Sequence, residues 1–214
     1  MMKQITDRLK EYAIVPVIAI EEIENVLPLA DSLIEGGLPL IEITFRTKIA
    51  PDAIKKLRKE RSSMLIGAGT VLTVDELKMA IDSGASFGVA PGFNPKIVEM
   101  ALTENFPFMP GVLTPTDIDA ALSFGLHVLK FFPAEAAGGV KYLQNISAPY
   151  THKGVRFIPT GGINTENIKE YINLNVVLAV GGTWIAKQSD IEAERWNMIA
   201  ENCRIAKTLI TGSE

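Results

Sequence analysis

A single lysine lies inside an almost wholly apolar segment, His127-Val128-Leu129-Lys130-Phe131-Phe132-Pro133. An apolar surround favours the neutral form of an amine, and a neutral amine attacks ketones to form a Schiff base, which acts as an electron sink. The chemistry expected of Lys130 is therefore covalent attack on a carbonyl compound. A structural role stays open, in which Lys130 only pairs with a buried carboxylate, and the two roles are compatible.

A carboxylate and a guanidinium lie in a second such segment, Leu40-Ile41-Glu42-Ile43-Thr44-Phe45-Arg46. Side chains of a strand alternate between its faces, so Glu42, Thr44 and Arg46 share one face, which we expect to point into the interior of a barrel. Charges buried there must be paired or used. Arg46, at the end of the strand, is suited to bind a substrate carboxylate, and Glu42 to move protons beside Lys130. A purely structural ion pair is the alternative.

Two glycine pairs, Thr160-Gly161-Gly162 and Gly181-Gly182-Thr183-Trp184, follow apolar segments. Backbone N–H groups in such loops bind phosphate, as does the N-terminus of a helix, here predicted to be capped by Asn164 or Thr165. A single Gly-Gly pair is weak evidence for a phosphate site, because such pairs are common in turns. A further segment, Gly67-Ala68-Gly69-Thr70, does not complete a dinucleotide motif and suits close backbone approach, with the Thr70 hydroxyl directed at a ligand.

The elements that must position these residues follow a regular alternation. Amphipathic helices are predicted at about 2–12, Ile23–Ile34, Val74–Ile81 and from about Ile191 to Ile210. Eight apolar segments between them are predicted to be strands: Ile14–Ile20, Leu38–Phe45, Met64–Gly67, Phe87–Ala90, Phe106–Met109, His127–Phe132, Val155–Pro159 and Val176–Val180.

Apolar strands that alternate with helices imply a parallel sheet covered by helices, and eight such units in 214 residues predict an α/β fold of the (β/α)8 TIM barrel type. We expect one domain over residues 1–214, with an extra N-terminal helix at about 2–12. An open doubly wound sheet is the alternative. In a barrel the active site lies at the carboxyl ends of the strands, where the polar and glycine residues named above fall.

Composition excludes several classes of function. The chain is 47% hydrophobic and carries 21 Lys+Arg against 25 Asp+Glu, so it lacks the basic surface that a nucleic-acid partner would need. The chain has a single cysteine, Cys203, which excludes an intramolecular disulfide and favours a reducing, cytoplasmic setting. One cysteine and two histidines are also too few for a typical zinc cluster. No segment resembles a signal peptide or a membrane helix.

The motifs EITFRT, GAGTVLT, APGFNP, PGVLTP, KFFPAEAAGG, PTGGIN and GGTW occur in this order. Together they strongly resemble the 2-keto-3-deoxy-6-phosphogluconate (KDPG) aldolase family, which also includes 4-hydroxy-2-oxoglutarate aldolase activity. The similarity extends from the VPVIAI strand to the GGTW loop. It implies a (β/α)8 barrel, a homotrimer, and reversible aldol cleavage through a Schiff base with no metal or other cofactor, in the Entner-Doudoroff pathway.

The resemblance also implies roles for individual residues. Lys130 corresponds to the Schiff-base lysine and Glu42 to the acid/base glutamate. The substrate-binding positions of the family correspond to Arg46 and Thr70 for the pyruvate carboxylate, to Gly161, Gly162 and Thr183 for the phosphate, and to Pro91 and Phe132 for the cavity wall.

The implied ligands are phosphorylated 2-keto acids and pyruvate. KDPG would yield pyruvate and glyceraldehyde 3-phosphate, and 4-hydroxy-2-oxoglutarate would yield pyruvate and glyoxylate. The galactonate analogue of KDPG is an alternative substrate. The chain departs from the family at two positions that bear on substrate preference: Ala19, near which some relatives carry arginine, and Ala90, where many carry Ser or Thr. A phosphosugar isomerase or epimerase, and a non-catalytic sensor of sugar phosphates, are the alternative functions. Glu135 has no assigned role.

Overall fold

The computed structural model describes residues 2–212 of the chain. Within them the α-helices are α1 Met2–Tyr12, α2 Val26–Glu35, α3 Ala50–Glu60, α4 Val74–Asp82, α5 Pro95–Thr103, α6 Pro115–Ser123, α7 Gly139–Ser147, α8 Ile168–Ile172, α9 Gln188–Glu192 and α10 Trp196–Thr211. The strands are β1 Ile14–Ile18, β2 Leu40–Thr44, β3 Leu65–Gly69, β4 Phe87–Val89, β5 Phe108–Met109, β6 Gly111–Val112, β7 Val128–Phe131, β8 Arg156–Pro159 and β9 Val180–Gly182. Ile23–Asn25 and Ala148–Lys153 form short 3-10 helices.

The strands pair in parallel, as the alternation of strands and helices predicts. Six of them form a sheet in the order β5-β4-β3-β2-β1-β9, and three form a second sheet in the order β6-β7-β8. Isolated parallel bridges join Phe157 to Val177 and Thr160 to Gly181, which connects β8 to the segment around β9. The fold is therefore α/β, with a curled parallel sheet, and the predicted class is confirmed at that level.

The strands separate two hydrophobic clusters. One cluster contains Ile41 and Ile43 of β2, together with the buried faces of most helices. The other contains Leu40 and Leu65 at the beginnings of β2 and β3, and also Ile5 and Leu9 of α1. Because α1 packs on the amino ends of the strands, the polar face of β2 lies above an apolar layer, and Glu42 and Thr44 follow toward the carboxyl end.

Pro110 separates the two short strands β5 and β6. A proline has no N–H group to donate to a sheet, although its carbonyl still accepts a hydrogen bond from Lys130 N at 2.9 Å. β5 pairs with β4 and β6 pairs with β7, so Pro110 lies where the two sheets meet. The strand predicted at Phe106–Met109 thus begins two residues later than expected and ends at Met109 as expected, and a further short strand, β6, follows Pro110.

The end of the chain also differs from the prediction. The eighth strand forms at Val180–Gly182 rather than at Val176–Val180, because residues 180 to 182 pair with β1. The predicted last helix is two helices, α9 and α10, separated where Glu194 adopts a positive φ of 51°. None of the helices within residues 2–212 is long and apolar enough to cross a membrane.

Candidate active site

A cavity of about 220 Å³ opens at the carboxyl ends of the strands. Eight of the nine residues expected to form the site line this cavity: Arg46, Thr70, Pro91, Lys130, Phe132, Gly161, Gly162 and Thr183. The ninth, Glu42, contacts Lys130 from behind the cavity wall. The structure therefore brings together residues that are up to 141 positions apart in the chain, from Glu42 to Thr183.

Lys130 and Glu42 form a buried ion pair. Lys130 is 5% exposed and Glu42 is 3% exposed, and Lys130 Nζ donates a hydrogen bond to Glu42 Oε1 at 3.3 Å. The same Nζ lies 5.7 Å from the centroid of the Phe132 ring. Removing two charges from water costs more free energy than an ion pair at the surface gains. A protein tolerates this cost where the charges are used in its function or are well paired. An amine at a cavity wall with a carboxylate behind it is suited to carbonyl chemistry with proton transfer.

Two glycines of β3 make room for this arrangement. A Cβ on Gly69 would lie 2.2 Å from Glu42 Oε1, and one on Gly67 would lie 2.3 Å from the Phe87 ring. The sequence suggested that a ligand approaches the backbone closely at Gly67-Ala68-Gly69. In the structure, neighbouring side chains of the protein itself make this close approach. Thr70, which follows directly, has a positive φ of 56°, an uncommon conformation for a β-branched residue, and lies at the cavity.

Arg46 is not buried inside the sheet, contrary to the expectation from strand alternation. β2 ends at Thr44, and the chain turns after the Phe45 amide donates to the Gly69 carbonyl at 2.8 Å. Arg46 is exposed in this turn, and its Nε donates to Thr44 Oγ1 at 3.3 Å. The alternation therefore holds for Glu42 and Thr44 only. The exposed guanidinium borders the cavity and can meet an anion without the cost of full burial.

The second glycine pair lies within a strand rather than after it. Gly181 and Gly182 pair with Val15 and Pro16 of β1, and Thr183 follows the strand directly, where it is exposed. A Cβ on Gly181 would lie 2.2 Å from Thr160 Oγ1, so this position needs glycine for packing.

The first glycine pair is followed by a capped turn that leads into α8. The helix itself begins at Ile168, with Asn167 at its N-cap position. Asn164 caps the turn before it, as one of the two predicted residues: its carbonyl accepts a hydrogen bond from Ile168 N at 3.1 Å, and its side chain accepts one from the Glu166 amide at 2.8 Å. Gly161 and Gly162, with positive φ values of 100° and 82°, present their backbone to the cavity.

Some residues of the site were missed by the sequence analysis. Val17, Thr160 and Ile163 also line the cavity. Thr160 comes two residues after Ile158, whose side chain belongs to the same hydrophobic cluster as Leu40 and Leu65, so strand alternation could have identified Thr160. Ala19 borders a neighbouring cavity of about 310 Å³ that shares Arg46 and Thr183 with the first.

Comparison with known proteins gives the family. The model of the aldolase family described as KDPG and KHG aldolase matches residues 5–202. A 2-dehydro-3-deoxy-phosphogluconate aldolase of Haemophilus influenzae is 45% identical over 202 residues, which cover 94% of each chain. The KHG/KDPG aldolase of Escherichia coli K12 is 39% identical over 193 residues, or 90% of each chain.

A solved structure shows the same relationship. The KDPG aldolase of Legionella pneumophila, captured with pyruvate as a covalent carbinolamine, superposes with a TM-score of 0.89 at 37% identity, covering 93% of this chain and 96% of that one. The chain therefore belongs to the KDPG and KHG aldolase family. The resemblance noted in the sequence is thus confirmed. Because the relatives are aldolases, the class of enzyme is that of the lyases.

Proposed function

We propose that this chain is a Schiff-base aldolase that cleaves KDPG to pyruvate and glyceraldehyde 3-phosphate, and that also cleaves 4-hydroxy-2-oxoglutarate to pyruvate and glyoxylate. The observation that carries the proposal is the Lys130 amine, nearly buried at a cavity wall and 3.3 Å from the Glu42 carboxylate. Membership of the family supports the choice of substrates.

In the proposed mechanism, Lys130 first gives a proton to the Glu42 carboxylate, and its neutral amine then attacks the C2 ketone of the 2-keto acid to give a carbinolamine. Glu42, through a water molecule, protonates the departing hydroxide, which leaves as water and yields the iminium. Glu42 then takes the proton of the C4 hydroxyl while the C3–C4 bond breaks, and its electrons move into the enamine. The aldehyde leaves, C3 of the enamine is protonated, and hydrolysis releases pyruvate and free Lys130.

Substrate binding follows from the lining of the cavity. Arg46 and Thr70 would bind the carboxylate beside the keto group, and the backbone of Gly161 and Gly162 with the Thr183 hydroxyl would bind the phosphate at the other end. Pro91 and Phe132 would form the apolar wall between them. No metal or other cofactor is part of this proposal.

The proposal includes the architecture and the assembly. The bridges between β8 and the segment around β9, and the junction at Pro110 between β5 and β6, support a closed (β/α)8 barrel as a single domain over residues 1–214.

Leu72 and Met79, which are 52% and 43% exposed, offer apolar surface that contacts in a homotrimer would cover. A cytoplasmic location remains a prediction, and sedimentation velocity would test the trimer.

Borohydride reduction in the presence of pyruvate tests the proposed function. We expect a reduced pyruvate adduct on the peptide that contains Lys130, located by mass mapping, together with cleavage of KDPG. Lys130→Ala should lose both the adduct and turnover, whereas Lys153→Ala, which removes an exposed lysine, should retain both. Substantial cleavage by Lys130→Ala would contradict the mechanism. Absence of an adduct in the unmodified protein would favour an isomerase or a sensor.

A comparison of substrates tests the specificity. Cleavage rates for KDPG, its galactonate analogue and 4-hydroxy-2-oxoglutarate should be highest for KDPG. A faster reaction with the galactonate compound would replace the proposed substrate and leave the lysine chemistry in place.

A further inference from the structure

The loop after β7 supports the loop after β8 through direct backbone contacts. Ala134 N donates to Thr160 O at 2.9 Å, and Glu135 N donates to Gly161 O at 3.0 Å. Gly162 packs against the same residue, since a Cβ on Gly162 would lie 2.6 Å from Glu135 Cβ. The conformation of the Gly161-Gly162 backbone at the cavity therefore depends on where Glu135 is held.

Glu135 is held by Tyr171. The Tyr171 hydroxyl donates a short hydrogen bond to Glu135 Oε1. Tyr171 lies on α8 and is fully buried, whereas Glu135 is exposed to solvent on the loop. Burial raises the pKa of the Tyr171 phenol, and the hydrogen bond to Glu135 raises it further, so the phenol remains a donor across the physiological range.

Two features limit the freedom of this contact. A Cβ on Gly139 would lie 3.2 Å from Glu135 Oε1 and 3.6 Å from the Tyr171 hydroxyl, so the backbone of α7 closes over the pair. Eight residues connect Gly162 to Tyr171, through the turn before α8. The segment from Gly162 to Tyr171 is thus fixed at both ends to the same side chain, that of Glu135.

We propose that Glu135 and Tyr171 are positioning residues for the phosphate end of the cavity, where they fix the Gly161-Gly162 backbone in the geometry that receives the anion. This inference rests on the proposed function for the identity of the ligand. The fixing of the backbone is a property of the free protein and can be measured separately.

Hydrogen–deuterium exchange tests the mechanical part. Tyr171→Phe keeps the buried ring and removes the donor, so exchange of the Ala134 and Glu135 amides, which donate to Thr160 O and Gly161 O, should accelerate by about tenfold, as expected for the loss of one hydrogen bond to a carboxylate. Tyr150→Phe is the matched control, because it also removes a tyrosine hydroxyl that donates to protein, at Pro115 O, and it does not contact this loop. Unchanged exchange in Tyr171→Phe would overturn the proposal.

Kinetics test the functional part. In Tyr171→Phe the KM for KDPG should rise roughly tenfold, while the pyruvate concentration that gives half-maximal borohydride trapping on Lys130 should stay unchanged, since pyruvate carries no phosphate. Glu135→Ala should reproduce this selective effect. Glu135→Gln keeps an oxygen acceptor for Tyr171 and should restore most of the affinity for KDPG.

The outcomes separate the two proposals. A rise in KM for KDPG that is matched by weaker pyruvate trapping would show general damage to the site and would overturn the positioning role. Failure of the unmodified protein to trap pyruvate would overturn the proposed function, and the exchange experiment would still decide whether Glu135 and Tyr171 fix the loop.

Discussion

Glu42 occupies the space in which Gly69 has no side chain. The carboxylate oxygen that accepts the hydrogen bond from Lys130 is the atom that a Cβ on Gly69 would approach to 2.2 Å. The position of the Glu42 carboxylate is therefore set by the absence of a side chain on the neighbouring strand, as well as by its own rotamer.

Gly69→Ala should displace the Glu42 carboxylate while the chain remains folded, because Gly69 lies in β3 and has no positive φ that alanine would strain. We expect kcat for KDPG cleavage to fall on the order of 100-fold, since small displacements of a catalytic group cost that much. Gly92→Ala is the control, as a Cβ there meets nothing within 4 Å. Steady-state kinetics with thermal melts of both variants make the measurement; equal kcat values would contradict the interpretation.

Glu42→Gln should separate formation of the adduct from turnover. The amide oxygen can still accept a hydrogen bond from Lys130, but it cannot take a proton, so kcat should fall by about 10²- to 10⁴-fold. Borohydride trapping of pyruvate on Lys130 should persist at a lower rate. Turnover near that of the unmodified protein would exclude Glu42 as the proton carrier.

Arg46 should control affinity for the carboxylate. Arg46→Lys keeps the charge and loses the two-pronged geometry, so we expect the concentration of pyruvate for half-maximal trapping to rise by roughly tenfold, and further in Arg46→Ala. Lys48→Ala removes an exposed cation from the same turn without touching the main cavity. If Lys48→Ala weakened trapping as much as Arg46→Ala, general attraction by charge would account for the effect.

Cys203 predicts how stability changes at alkaline pH. Burial raises the pKa of its thiol to about 12, whereas an unfolded thiol has a pKa of about 8.5. Between these values the folded chain keeps a proton that the unfolded chain releases, so the free energy of unfolding falls as pH rises. This contribution amounts to at most about 1.4 kcal/mol per pH unit.

Urea unfolding between pH 8 and 10.5 measures this decline. It should be shallower in Cys203→Ala, which removes the titrating group, and the folded protein should resist alkylation at pH 9 until urea is added. Rapid alkylation of the folded protein would show that the thiol is not protected as its burial implies.

Much of the site is predictable from sequence because it is built on strand alternation. Glu42 and Thr44 follow Leu40 on one face of β2, and Lys130 is two residues after Val128 on β7, so local spacing identifies the inward residues. Arg46 escapes this rule because the strand ends at Thr44, and the end depends on pairing with β3, a segment more than 20 residues away.

Other features depend on contacts between distant segments and leave no local pattern. The hydrogen bond between Tyr171 and Glu135 joins residues 36 positions apart on a helix and a loop. The shift of the last strand to Val180–Gly182 comes from pairing with β1 at the other end of the chain. Neither apolar spacing nor a glycine motif reports such pairings, because they depend on how the segments meet in space.

The glycines of β3 have a consequence for how variation in this chain should be interpreted. The space that a side chain on Gly67 would fill is occupied by Phe87 of a neighbouring strand, and the space beside Gly69 is occupied by Glu42. Tolerance to substitution at position 67 should therefore depend on the size of the residue at position 87, so that a larger residue at 67 becomes acceptable when 87 is reduced. No such compensating substitution exists for position 69, since a residue smaller than Glu42 would not reach Lys130.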